Sequence, residues 1–100
     1  MDRIFGGQPL KTIQVRISGK VQKVGFRSCI RRIAGRLSIR GEVMNLPDGS
    51  VQVVASGDQI ILEKFIAMIY GCPRAVIRDM EITEREYCAF EVFSIVRPGI

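Results

Sequence analysis

Apolar and polar positions change period several times along the chain, and each change marks an element. Over Thr12 to Ser18 the alternation is strict, with Ile13, Val15 and Ile17 on one side, so a half-buried strand is predicted. After the loop Gly19-Lys20-Val21-Gln22-Lys23-Val24-Gly25, residues Phe26, Ile30, Ile33 and Leu37 fall at helical steps, with Cys29 and Ala34 beside them. That spacing predicts a helix of about three turns, its outer face formed by Arg27, Arg31, Arg32 and Arg36. Two β-rich runs follow, Arg40 to Leu46 and Ser50 to Ala55, joined by Pro47-Asp48-Gly49, which is a hairpin signal. Asp58 can cap a second helix whose core stripe is Leu62, Phe65, Ile66 and Ile69, and Gly71 followed by Pro73 ends it. Val76 to Thr83 reads as another strand and Phe90 to Val96 as a last, edge strand.

The order βαββαβ plus an edge strand, with two helices and a mainly antiparallel sheet, points to an α+β, ferredoxin-like two-layer sandwich with both helices on one face. Neither repeat nor linker divides it. The expected organisation is a short flexible lead over residues 1–10, one domain over 11–96 and a tail over 97–100.

Composition narrows the chemistry. At 100 residues and 47% apolar content, the chain can build one small core. Histidine is absent, which removes Ser-His-Asp and Cys-His nucleophilic sites, imidazole zinc sites and imidazole acid/base catalysis. No apolar run reaches the length of a membrane span, and the first nine residues lack the apolar stretch of a secretory signal. Cys29, Cys72 and Cys88 are odd in number and show no CxxC spacing, so reduced, mostly buried thiols in a cytoplasmic protein are expected.

The net charge of +5 is unevenly placed. Residues 1–41 hold ten of the fifteen Lys and Arg, and residues 11–41 contain no acidic residue. Such a basic segment suits an anionic partner or, more plainly, a solvated helix face. The loop before the first helix favours the anion, because free amides and the helix dipole converge there. Arg27 in the first turn opposes that dipole, and Lys23 adds a second cation, an arrangement a phosphate would stabilise, although glycine loops before helices are common and a solvated Arg27 fits the local pattern as well. The nucleotide motifs GxxxxGK[ST] and GxGxxG are missing, as is an acidic cluster for magnesium, so a small phosphorylated molecule fits better than ATP.

These residues resemble the acylphosphatase family. The stretch Gly19-Lys20-Val21-Gln22-Lys23-Val24-Gly25-Phe26-Arg27 is similar to its first signature, GxVQGVxFR. Gly41 to Val51, with Val43, Asn45, Asp48 and Gly49 in register, is similar to its second, GxVxNxxDGxV. The likeness runs over roughly residues 11–96, and the family's fold is the sandwich already expected. It implies hydrolysis of the carboxyl-phosphate bond of a small acyl phosphate, without metal or cofactor. By matching position, Arg27 and the amides of Gln22, Lys23, Val24, Gly25, Phe26 and Arg27 itself would hold the phosphoryl oxygens, and Asn45 would orient the attacking water. Asp48 and Gly49 are expected to serve only the turn, and the Arg31, Arg32 and Arg36 face to be solvated surface.

Two positions depart from the signatures. Lys23 stands where glycine is usual, which costs roughly 1 kcal/mol if positive φ is needed there. Glu42 occupies a position often aromatic. A non-catalytic module binding phosphate or carbamoyl phosphate is the runner-up, with Lys23 its best support. RNA binding is disfavoured, because the middle strands offer no aromatic residue for base stacking. A monomer with no membrane partner is expected.

Overall fold

The computed structural model describes residues 10–97, so the expected lead up to Pro9 and the tail from Pro98 lie outside the described residues. In chain order the elements are β1 (Leu10–Lys20), α1 (Phe26–Arg36), β2 (Arg40–Asn45), β3 (Val51–Asp58), α2 (Gln59–Ile69), β4 (Val76–Arg85) and β5 (Phe93–Ile95). One five-stranded sheet has the order β4-β1-β3-β2-β5. All neighbours pair antiparallel except β2 and β5, which run parallel.

The alternation of β1 determines which face is covered. Ile13, Val15 and Ile17 share one core with Val43, Val51, Val53 and Ala55 of the sheet, with Phe26, Ile30 and Ile33 of α1, and with Leu62, Phe65 and Ile69 of α2. Both helices therefore lie over one face, the expected sandwich. Ile66 is only half-buried at the margin of its stripe. Phe65 meets Phe93 edge to face at 6.0 Å, closing the core under β5.

Strand β3 runs past Ala55 to Asp58 because Leu10 to Thr12 continue the ladder beside it, pairing Leu10 with Asp58. The cue that fails is Gly57, which interrupts the apolar alternation without interrupting the backbone bonds. The last strand is shorter than its apolar run, Phe93–Ile95, because the preceding segment has another task. Residues 86–92 carry the chain from the β4 edge to the β2 edge across the face without helices. There Thr12 and Ser56 are buried, and their hydroxyl oxygens lie 2.6 Å apart. The Cys88 amide donates to Thr12 Oγ1 at 2.8 Å, and Ser56 Oγ donates to the Cys88 carbonyl at 2.6 Å. These bonds fasten the strap on which β5 depends.

The cysteine expectation is corrected. Cys29 of α1 and Cys72, in the turn after α2, form a disulfide with Cα atoms 6.1 Å apart, and Cys88 is free and exposed. Pairing across 43 residues needs only that the two helices lie side by side, a tertiary fact that cysteine count and spacing do not carry.

Candidate active site

The chain turns into the site at Gly19. The β1–β4 register shifts between Ser18 and Gly19, and Gly19 has φ +132° with a hypothetical Cβ 2.1 Å from the Val76 carbonyl oxygen. Only a residue without Cβ lets the strands approach so closely there. Beyond it the loop bends through two left-handed residues, Lys23 at φ 64° and Gly25 at φ 76°. Position 23 thus does adopt the conformation glycine favours, at a strain of roughly 1 kcal/mol for lysine.

Gly25 is the N-cap of α1 and supplies no side-chain cap, and no acidic residue occupies the first turn. Among the described residues, the backbone amides of residues 22–28 donate to no protein acceptor. The result is a set of free donors at the positive end of a helix dipole, with cationic side chains around it.

These groups line a cavity of about 110 Å³, formed by Val21, Lys23, Gly25, Phe26, Arg27, Ser28, Asn45, Ile95 and Arg97. Of the residues the sequence singles out, Lys23, Gly25, Phe26, Arg27 and Asn45 come together here. The cavity wall does not include Gln22 and Val24. Val24 packs against the core, whereas Gln22 Nε2 donates to the carbonyls of Leu46 at 2.9 Å and Ser50 at 2.8 Å. Gln22 therefore ties the loop to the β2–β3 turn and fixes the distance between the free amides and Asn45, the last residue of β2. In that turn Asp48 Oδ1 accepts from the Ser50 amide at 3.0 Å and its hydroxyl at 2.6 Å. The expectation that Asp48 serves only the turn needs correction, because it also pairs with Arg16 of β1.

Asn45 Oδ1 is buried without a hydrogen-bond partner. An orphaned acceptor of this kind costs about 1–3 kcal/mol and calls for a ligand or water.

Val21, Ser28, Ile95 and Arg97 also line the cavity, and sequence reasoning missed them. Ser28 follows from Arg27 in the first turn. Arg97 had no local signal, since only the parallel pairing of β5 with β2 brings it near Asn45. The turn after α2 approaches from the other side, where an Arg74 guanidinium nitrogen lies 3.5 Å from a Cβ built on Gly25. No Asp or Glu is among the lining residues.

A larger cavity of about 410 Å³ lies between α2 and the β1–β4 edge. It mixes charges of both signs, including a Lys11–Glu84 ion pair at 3.4 Å, and the helix start beside it is capped by Asp58. The smaller cavity, by contrast, sets cations beside the unpaired amides of the α1 start with no carboxylate in its wall. Among the described residues, no group of three or more Cys, Asp or Glu side chains is placed to hold a metal ion.

Fold and cavity define a ferredoxin-like sandwich that presents a cationic, amide-rich cradle at the start of its first helix. A match to the acylphosphatase family spans residues 13–95. An acylphosphatase of Archaeoglobus fulgidus is 40% identical over 84 residues, covering 83% of this chain and 94% of the relative. The crystal structure of acylphosphatase from Bacillus subtilis has a TM-score of 0.83 at 31% identity, over 88% of this chain and 99% of that one. HypF from T. kodakarensis has a TM-score of 0.80 at 32% identity, but the likeness covers 89% of this chain and only 12% of that one. The chain belongs to the acylphosphatase family, and it is an enzyme that hydrolyses small acyl phosphates.

Proposed function

We propose that the cavity at the start of α1 is the active site, with Arg27 and the amides of residues 22–27 holding the phosphoryl group and Asn45 orienting water. The observation that carries this reading is the meeting of Lys23, Gly25, Phe26, Arg27 and Asn45 in one cavity without an acidic lining residue. Water attacks phosphorus in line, a bond from the water oxygen to phosphorus forms, and the bond from phosphorus to the acyl oxygen breaks. The electron pair leaves with the carboxylate, and the water proton passes to a phosphoryl oxygen. Such a loose transition state asks chiefly for positioning and charge stabilisation, which an arginine, an asparagine and fixed amides supply. A carboxylate leaves without acid assistance, so the absence of histidine costs this reaction nothing.

Lys23 holds the positive φ of the cradle and lines the cavity, and what weighs against a non-catalytic module is the likeness over most of the chain to acylphosphatases. The reading extends to a monomer built on a domain of residues 11–96, which Leu10 of β1 and Arg97 of the cavity wall extend by one residue at each end, acting without metal on an acyl phosphate free of nucleic acid or membrane. A cytoplasmic location also belongs to it, though no longer on the ground of reduced thiols, since Cys29 and Cys72 are bonded. The Cys29–Cys72 disulfide speaks against a strongly reducing compartment, so thiol labelling of protein taken directly from cells bears on that point.

The test is hydrolysis of benzoyl phosphate, followed by loss of the mixed-anhydride absorbance, in wild type, Arg27→Ala and Asn45→Ala. Each substitution is expected to cost on the order of 10²-fold in kcat/KM, the scale for losing one preorganised donor. Activity should survive chelation. Wild-type turnover equal to spontaneous hydrolysis, or full activity in both variants, would overturn the assignment.

A further inference from the structure

Arg97 lies beyond both signature stretches, two residues after β5, yet it lines the same cavity as Arg27 and Asn45. Its position follows from strand pairing. Gly41 aligns with Phe93 and Val43 with Ile95, and the Val96 amide donates to the Val43 carbonyl at 2.8 Å. Asn45 follows Val43 by two residues and Arg97 follows Ile95 by two, and both line the cavity. The wall that carries Asn45 therefore also carries a guanidinium, whereas Arg27 and the free amides come from the loop and helix.

Arg97 pairs with no carboxylate among the described residues, and none lines the cavity. A cation on that wall has a specific use. A phosphoryl group bearing negative charge repels the lone pair of an approaching water. A guanidinium beside the residue that orients the water offsets this repulsion on the side from which attack comes.

We propose that Arg97 is a further catalytic residue, donating to the phosphoryl oxygen nearest the attacking water while Asn45 orients that water. This rests on the assignment of the phosphoryl group to Arg27 and the loop amides. It extends the machinery from the two signature stretches to a third segment, delivered by the strap across the open face of the sheet.

The experiment compares kcat and KM for benzoyl phosphate in wild type, Arg97→Ala and Arg97→Lys, with Arg27→Ala alongside and with inorganic phosphate as competitive inhibitor. Because Arg97 is exposed and solvent weakens its field, its loss should lower kcat on the order of tenfold, less than the loss of Arg27. Phosphate inhibition should change by a smaller factor. Arg97→Lys should recover part of kcat, and millimolar guanidinium, well below denaturing concentrations, should raise the rate of Arg97→Ala but not that of wild type. A merely structural arginine would show no such rescue. Wild-type kcat in Arg97→Ala, a loss confined to KM, or no rescue would overturn the proposal while Arg27→Ala remains impaired. If Arg27→Ala is also fully active, the site assignment itself fails.

Discussion

The two helices of this protein begin in opposite ways. At α2 the chain supplies its own anion: Asp58 Oδ1 accepts from the Ile60 amide at 2.8 Å and the Ile61 amide at 3.3 Å. At α1 it withholds one, since Gly25 offers no side-chain cap, the first turn has no acidic residue, and cations line the cavity beside it. A capped helix start is finished structure. An uncapped one, with Lys23, Arg27 and Arg97 lining the cavity beside it, is unstable in the same electrostatic sense until an external anion arrives, and in the proposed function that deficit is what binds substrate.

The largest effect expected from breaking this arrangement is on stability. The Cys29–Cys72 bond joins the helix of the open start to the turn that follows the capped one. Cys72→Ser should lower unfolding free energy by up to about 4 kcal/mol for a 43-residue separation, read by urea denaturation with and without reductant. Next comes the on the order of 10²-fold loss of kcat/KM in Arg27→Ala, equivalent to about 2.7 kcal/mol of transition-state stabilisation. Ser28→Asp sharpens the contrast by giving α1 an anion of its own. It should raise KM for benzoyl phosphate on the order of tenfold while leaving the fold at least as stable, because a carboxylate in the first turn both competes for the site and satisfies the dipole. Asp58→Ala performs the opposite operation on α2 and should cost about 1 kcal/mol of stability, measured by thermal unfolding, with kcat unchanged. The smallest effect is Lys23→Gly, which should gain roughly 1 kcal/mol or less of stability by relieving left-handed strain, at the expense of a few-fold weaker phosphate inhibition.

The parts of this contrast that were legible in the sequence are those written locally. Strict alternation from Ile13 to Ile17, the helical spacing from Phe26 to Leu37 and the Pro47-Asp48-Gly49 turn each depend on neighbours a few residues away. So does Asp58, whose carboxylate reaches amides only two and three residues on. What was not legible depends on packing. Cys29 meets Cys72 only once α1 lies against α2, and Arg97 reaches the cavity only because the strap crosses the open face before β5 pairs with β2. The hydroxyls of Thr12 and Ser56, which anchor that strap, occupy polar positions of alternating strands and look solvent-facing until the strap covers them. Gln22 was legible as part of the loop, but its side-chain bonds to Leu46 and Ser50 required the hairpin turn to be in place.

The central claim, that the uncapped start of α1 and not the capped start of α2 receives the phosphoryl group, is open to one direct measurement. Titration of the ¹⁵N-labelled protein with inorganic phosphate, followed by amide chemical shifts, reports both helix starts at once. Saturable shifts at residues 22–28 and Asn45, with residues 59–63 still, are expected. Saturable shifts at residues 59–63, or none at residues 22–28 at saturating phosphate, would contradict it.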